Sequence, residues 1–237
     1  DFEYVNLYHN SVVGSPGIFI NDYEGCDLRN NIFYGTGNFA ADFQDPDTSF
    51  TPNVVNDYNL YFRESAGDII QYGANNYADI NAFQAAIPNS NSNSVDGNPF
   101  FVDVLSDLHV IGAAANDAGD NTVGVLTDID GDTRPISPST TVDIGADEYS
   151  PLTENASPVG IFSPRSTFLC GDSMQTVEVI IQNLGINPIS NLPVDAIITG
   201  DVQAVLGTIY TGPLAAFETD TDTVGVIYTA LGGTYDI

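Results

Sequence analysis

The sequence contains no lysine and no tryptophan, one methionine, two cysteines and two histidines, and its cationic residues are four arginines, Arg29, Arg63, Arg134 and Arg165. Against them stand 32 aspartates and glutamates, so the formal net charge is -28. Nucleic acid is excluded as a partner, because neutralising phosphates needs clustered cations. An anionic membrane surface or a polyanionic polysaccharide is repelled on the same ground. The acidic surface has two readings that composition leaves open, solubility in saline surroundings and capture of divalent cations.

Cys26 and Cys170 are too few for a disulfide framework, and with His9 and His109 they have no zinc-ligand spacing. Cys26 reads as a small buried apolar side chain beside Leu28 and Ile32. A bridge to Cys170 would have to cross from one half of the chain to the other. No apolar run approaches the ~18 residues of a membrane span, which argues against membrane insertion.

What is present is a folded chain of 237 residues, 43% hydrophobic, long enough for one or two cores. Its first part repeats. His9-Asn10-Ser11-Val12-Val13 aligns with Arg29-Asn30-Asn31-Ile32-Phe33 at an offset of 20, and Asn31-Ile32-Phe33-Tyr34 with Asn59-Leu60-Tyr61-Phe62 at an offset of 28. Such periods predict a coiled repeat, with asparagines stacked at a tight turn and apolar residues inside. The longer second offset predicts an inserted loop from Gly35 to Pro52, rich in turn residues. Further on, Asp79 as an N-cap, Ile80, Phe83 and Ile87 at helical spacing, and a terminating Pro88 predict one short helix.

From Asp96 to Tyr149 the chain carries Asp96-Gly97-Asn98-Pro99-Phe100-Phe101, Asp107-Leu108-His109-Val110, Asn116-Asp117-Ala118-Gly119, Asp128-Ile129-Asp130-Gly131-Asp132-Thr133-Arg134-Pro135 and Val142-Asp143-Ile144-Gly145-Ala146-Asp147-Glu148-Tyr149. In order and spacing these resemble the terminal segment of secreted bacterial right-handed parallel β-helix proteins of the choice-of-anchor Q type. The resemblance covers Asn53 to Tyr149 and implies a cap over the last coil of a parallel β-helix. Its pattern departs from the family's at Gly112-Ala113-Ala114-Ala115. Independently of it, Arg134, the lone cation among six surrounding carboxylates, is expected to pin the segment through Glu148 or Asp143.

After Tyr149 the composition shifts. Residues 150–158 are expected as a linker, and residues 159–237 show short strands at sandwich spacing. Val179-Ile180-Ile181-Gln182-Asn183-Leu184-Gly185 and Ile189-Ser190-Asn191-Leu192-Pro193-Val194 resemble the Ig-like, CARDB-related modules of Bacteroidetes surface proteins, which implies a spacer or adhesive unit. The expected fold class is therefore all-β: parallel β-helix coils with a loop-rich cap over 1–149, then an Ig-like β-sandwich. Alternation in Asp1–Leu7 and a last strand at Gly233–Ile237 suggest that both ends lie inside a larger fold.

The expected function is non-catalytic: a structural or adhesive segment of a large secreted or cell-surface bacterial protein, with polysaccharides or other surface glycans and the flanking domains of the same chain as partners. The alternative is part of a carbohydrate-active β-helix enzyme, a polysaccharide lyase or glycoside hydrolase, whose catalytic coils lie mostly upstream. A lyase needs a basic residue and charge-stabilising cations, and the repeat region offers Arg29 and Arg63 alone. A hydrolase needs a facing carboxylate pair, for which Asp22, Glu24, Asp27 and Asp57 are the candidates. His109, with no serine or cysteine motif beside it, reads as an outward-facing strand residue. The one cofactor expectation is calcium at Asp128, Asp130 and Asp132, which resemble the start of a calcium loop. Position 12 of that loop is Ser139 where an EF-hand has glutamate, so a plain acidic turn is the competing reading.

Overall fold

In a computed structural model the described residues are all except 1, 4, 22, 45–54, 89, 165–172, 230–234 and 237. They contain 21 strands, one α-helix and one short 3-10 turn, an all-β composition. The chain divides into two compact units, Asp1–Pro151 and Leu152–Ile237. No helix among the described residues is long and apolar enough to cross a membrane.

In the first unit three successive passes of the chain each add one strand to three parallel ladders. Asn6–Tyr8, Asp27–Arg29 and Val55–Asp57 form the first ladder. Ser11–Gly14, Ile32–Gly35 and Leu60–Arg63 form the second, which Val95–Asp96 extends. Ile18–Ile20, Ala41–Phe43 and Ile70–Tyr72 form the third, closed by the antiparallel strand Asn75–Tyr77.

The asparagines that precede the second ladder stack. Asn31 Oδ1 accepts from both Asn10 N and Asn10 Nδ2, Asn59 Oδ1 accepts from Asn31 N and Nδ2, and Ser94 Oγ ends the series by accepting from Asn59 N. Asn31 and Asn59 are buried and their amides also donate to backbone carbonyls, so the polar turn is satisfied without water. The preceding residues His9, Asn30 and Tyr58 all take positive φ, turning the chain sharply from the first ladder into the second.

Two sequence expectations are corrected here. Ile32 pairs with Ser11, so the first offset is 21 and not 20, whereas Ile32 with Leu60 keeps the offset of 28. A one-residue slip exchanges the two faces of a strand, and aligning Val12 with Ile32 would have placed an inward residue beside an outward one. The expected loop Gly35–Pro52 contains the strand Ala41–Phe43, whose Ala41 and Phe43 are fully buried; residues 45–54 of that loop lie outside the described residues.

Inside the stack, Phe33, Phe43, Tyr61, Ile70 and Leu28 form one core. The helix Ile80–Ala86 closes its end: Asp79 Oδ1 caps it by accepting from Ala82 N, and the buried Phe83 meets Phe43, Tyr72 and Tyr77 at ring-centroid distances of 6.4, 6.1 and 5.1 Å. Residues 101–149 lie elsewhere. Ile32, Tyr34 and Leu60 point away from that core and pack against Phe101, Val110, Ala115 and Ile144. The segment expected as an end cover therefore lines the flank of the second ladder, and the helix takes the end position. The cause is that the second ladder is apolar on both faces, so its outer face needs a cover of its own.

In the second unit, Ala156–Ser163, Ser173–Asn183 and Thr219–Thr229 form one antiparallel sheet, and Ala204–Tyr210, Leu192–Gly200 and Tyr235–Asp236 another. Alternate residues Val177, Val179, Ile181 and Val194, Ala196, Ile198 fill its core. A bulge opposite Val177 and Glu178 resets the alternation, so Val224 and Ile227 are both buried. The first strand begins at Ala156, within the segment expected as a linker.

Candidate functional site

The flanking segment is organised around Arg134, whose side chain is completely buried. Its Nη1 donates to Glu148 Oε2 at 2.9 Å and its Nη2 to the Gly145 carbonyl at 3.0 Å. Glu148 also accepts from Ile136 N and Asp143 N, which satisfies the remaining lone pairs of a buried carboxylate. Of the two partners expected for Arg134, Glu148 provides the ion pair. The Asp143 carboxylate instead accepts from Asp117 N and Tyr149 N, and burial pushes it up to about 7.

The segment is tied to the stack through Asn30. Its amide accepts from Asp120 N at 2.7 Å and donates to Asp120 O, and its carbonyl accepts from Gly145 N. Gly145 has φ +107, and a Cβ there would come within 2.6 Å of Ile32 Cδ1, so close approach of this loop to the ladder requires glycine. The buried His9 ring places Nε2 2.9 Å from Asn30 Nδ2, and desolvation lowers its pKa to about 4.

At the surface of the same segment three side chains converge. His109 Nδ1 lies 2.5 Å from Asp107 Oδ1, and its Nε2 lies 2.7 Å from Asp130 Oδ2. These two carboxylates, Asp107 first, raise the imidazole to about 9. Asp147 is brought alongside because its Oδ2 accepts from Val110 N, next to His109 on the strand Asp107–Val110. One ligand-type atom from each of His109, Asp130 and Asp147 lies within 4.8 Å of the others, the group among the described residues that could hold a metal ion.

This group shares only Asp130 with the calcium expectation. Asp128 Oδ1 accepts from Asp130 N and Asp132 N, its Oδ2 accepts from Glu148 N, and its backbone closes the turn with Asp132. Asp128 is thus the acceptor around which residues 128–132 fold, while Asp130 reaches away to His109 and Asp132 remains exposed. Gly131, at φ +92, permits the reversal. Asp107 and His109 sit at alternate positions and so share a strand face, a signal legible in the sequence. Asp147 carries no such signal, because its place depends on a backbone contact 37 residues away.

Of the residues considered for catalysis, Arg29, Arg63, Asp27 and Asp57 have other employment. Arg29 grips Asp27 with Nε and Nη2 and reaches Asp120 with Nη1. Arg63 donates to the carbonyls of Gly37 and Asp68. Asp27 also accepts from the Tyr8 hydroxyl, and Asp57 from Asn93 and Tyr58. Asp22, Cys170 and Arg165 lie outside the described residues, as does the Glu24 side chain; Cys26 is buried in the core. Comparison with protein-family models, with curated proteins and with solved structures finds no match to this chain.

Proposed function

We propose that residues 1–151 are coils of a right-handed parallel β-helix with its cover, that residues 152–237 are an Ig-like sandwich, and that the chain is a non-catalytic structural or adhesive segment of a large secreted or cell-surface bacterial protein. The observation that carries this reading is the use made of the charged groups. Of the candidates a lyase or hydrolase would use in the stack, Arg29, Arg63, Asp27 and Asp57 are engaged in holding strands, turns and the flanking segment together. The asparagine stack and the apolar interior support the β-helix reading, since both are devices for repeating one coil upon another. Two facing antiparallel sheets with alternating inward residues support the sandwich.

Glycans are the partner class proposed for the exposed faces, and neutral ones suit a surface of net charge -28. Incubating the chain with neutral and acidic polysaccharides, and following both retention and new reducing ends, tests the reading. Retention of a neutral polymer without cleavage is the expected result. New reducing ends would overturn it in favour of a carbohydrate-active enzyme.

A further inference from the structure

We propose that His109, Asp130 and Asp147 form a binding site for a divalent transition ion of zinc's class, with Asp107 orienting the imidazole. The proposal stands apart from the glycan reading and does not depend on it.

Two independent observations point to a cation. The first is the convergence itself: three ligand-type atoms within 4.8 Å, one of them an imidazole nitrogen. In a tetrahedral zinc site with bonds of about 2.0–2.1 Å, ligand atoms stand about 3.3 Å apart. His109 Nε2 and Asp130 Oδ2, in hydrogen-bond contact at 2.7 Å, would part by about 0.6 Å to admit the ion, and the ligand atom of Asp147 lies within 4.8 Å of both others. The side chains of His109 and Asp130 are 44% and 55% exposed, free to make the remaining adjustment.

The second observation is Asp147. It is only 6% exposed, and the hydrogen bond it accepts comes from one backbone N–H, that of Val110. A buried carboxylate is ordinarily matched by an arginine or by several N–H donors, as Glu148 is one residue later. Asp147 instead turns its carboxylate toward His109 and Asp130. His109 is the cationic group that faces it, and a metal ion placed between the three would bring a larger charge to the same place.

The donor set selects the class of ion. Calcium takes six to eight oxygens and gains nothing from imidazole, whereas one imidazole with two carboxylates suits zinc and its neighbours. Three protein ligands leave one coordination position for water or an outside donor. Asp107, at Nδ1 on the far side of the ring, is placed as the outer partner that holds a metal-bound histidine in one orientation.

The test uses the full chain without a histidine tag. Cobalt(II) serves as the spectroscopic probe, zinc displaces it, and melting temperatures are taken in zinc, calcium, magnesium and chelator at equal ionic strength. Expected are a cobalt visible spectrum of a low-coordinate site, its loss on adding one equivalent of zinc, and a rise in melting temperature with zinc. His109→Gln, a surface change that leaves the buried carboxylates in place, should abolish the spectrum, and Asp147→Asn should do the same. Asp107→Asn should weaken zinc about 10- to 100-fold. Asp132→Asn, outside the group, should leave binding intact. An unperturbed cobalt spectrum with the unmodified chain overturns the proposal and leaves His109 an ion-paired surface histidine. Binding that survives His109→Gln, or calcium stabilisation abolished by Asp132→Asn, moves the ion to the turn of residues 128–132 and overturns it equally.

Discussion

The Arg134 guanidinium and the Glu148 carboxylate meet at 2.9 Å with neither side chain exposed to solvent. Removing one member of such a pair strands the other's charge, at a cost of about 3–5 kcal/mol. Arg134→Ala should therefore lower the denaturation midpoint of the first unit substantially, while Arg134→Met with Glu148→Leu, which removes both charges, should cost markedly less. Urea titrations of the three chains, followed by a probe in the first unit, check this. Equal midpoints for the wild type and Arg134→Ala would show that the pair pins nothing.

The asparagine stack makes a second prediction. Asn31 donates to Leu7 O, Arg29 O and Asn59 Oδ1, and its own Oδ1 accepts twice from Asn10. Asn31→Ala leaves several of these buried partners unsatisfied, each worth about 1–3 kcal/mol. The exposed Asn121 offers a milder contrast, its amide donating to Thr140 O and accepting from Val142 N. Asn31→Ala should destabilise the chain by several times more than Asn121→Ala, measured as the shift in melting temperature.

Phe83 supplies a third. It is fully buried at the end of the stack against three aromatic rings, and Phe83→Ala should cost about 3–5 kcal/mol. Amide exchange should locate the loss in the third ladder and the helix. Uniform loss of protection across the first unit, with no local excess, would show that the helix is not a separate closure.

Two buried groups, Asp143 and His9, contribute to the pH dependence with opposite signs. Burial raises Asp143 from 3.8 to about 7, so between those values the folded chain holds a proton that the unfolded chain has released, and this contribution to stability is lost as pH rises. Burial lowers His9 from 6.5 to about 4, so between those values the unfolded chain holds the extra proton and stability rises with pH. Relative to the wild type, Asp143→Asn should gain stability progressively from pH 4 to 7. His9→Asn, which tolerates the positive φ at that position, should lose relative stability over pH 4 to 6.5. Urea midpoints at four pH values for each chain check both signs.

Which parts of this architecture the sequence disclosed follows from local physics. Asn31 and Asn59, each directly before an apolar strand, and Asp79 before Ile80 are local signals, and the stack and the capped helix lie where those residues put them. The strand Ala41–Phe43 was hidden because three residues among glycines and aspartates carry too little alternation to register. Pro158 disguised Ala156–Ser163, yet that strand is at the edge of its sheet, where a missing N–H does no harm. The outward apolar side chains Ile32 and Leu60 were visible, but only the packed structure says which segment covers them. Asp147 was unreadable as a partner of His109 for the same reason, since a backbone hydrogen bond leaves no trace in side-chain pattern.

The anchoring of residues 115–149 has a kinetic side. Asp120 engages Asn30 across 90 residues, and Ala146 N donates to Ser11 Oγ across 135. Such contacts form only after the intervening chain has closed a long loop, whose entropy opposes them until the strands they rest on are in place. During synthesis from the N-terminus, Ser11 and Asn30 emerge first, and their outward apolar neighbours Tyr34 and Leu60 stay uncovered until Phe101 and Val110 arrive and Ile144 and Gly145 complete the cover. The flanking segment is thus expected to close last in the first unit, and a chain interrupted before Phe101 would present a bare apolar ladder to any other strand it met.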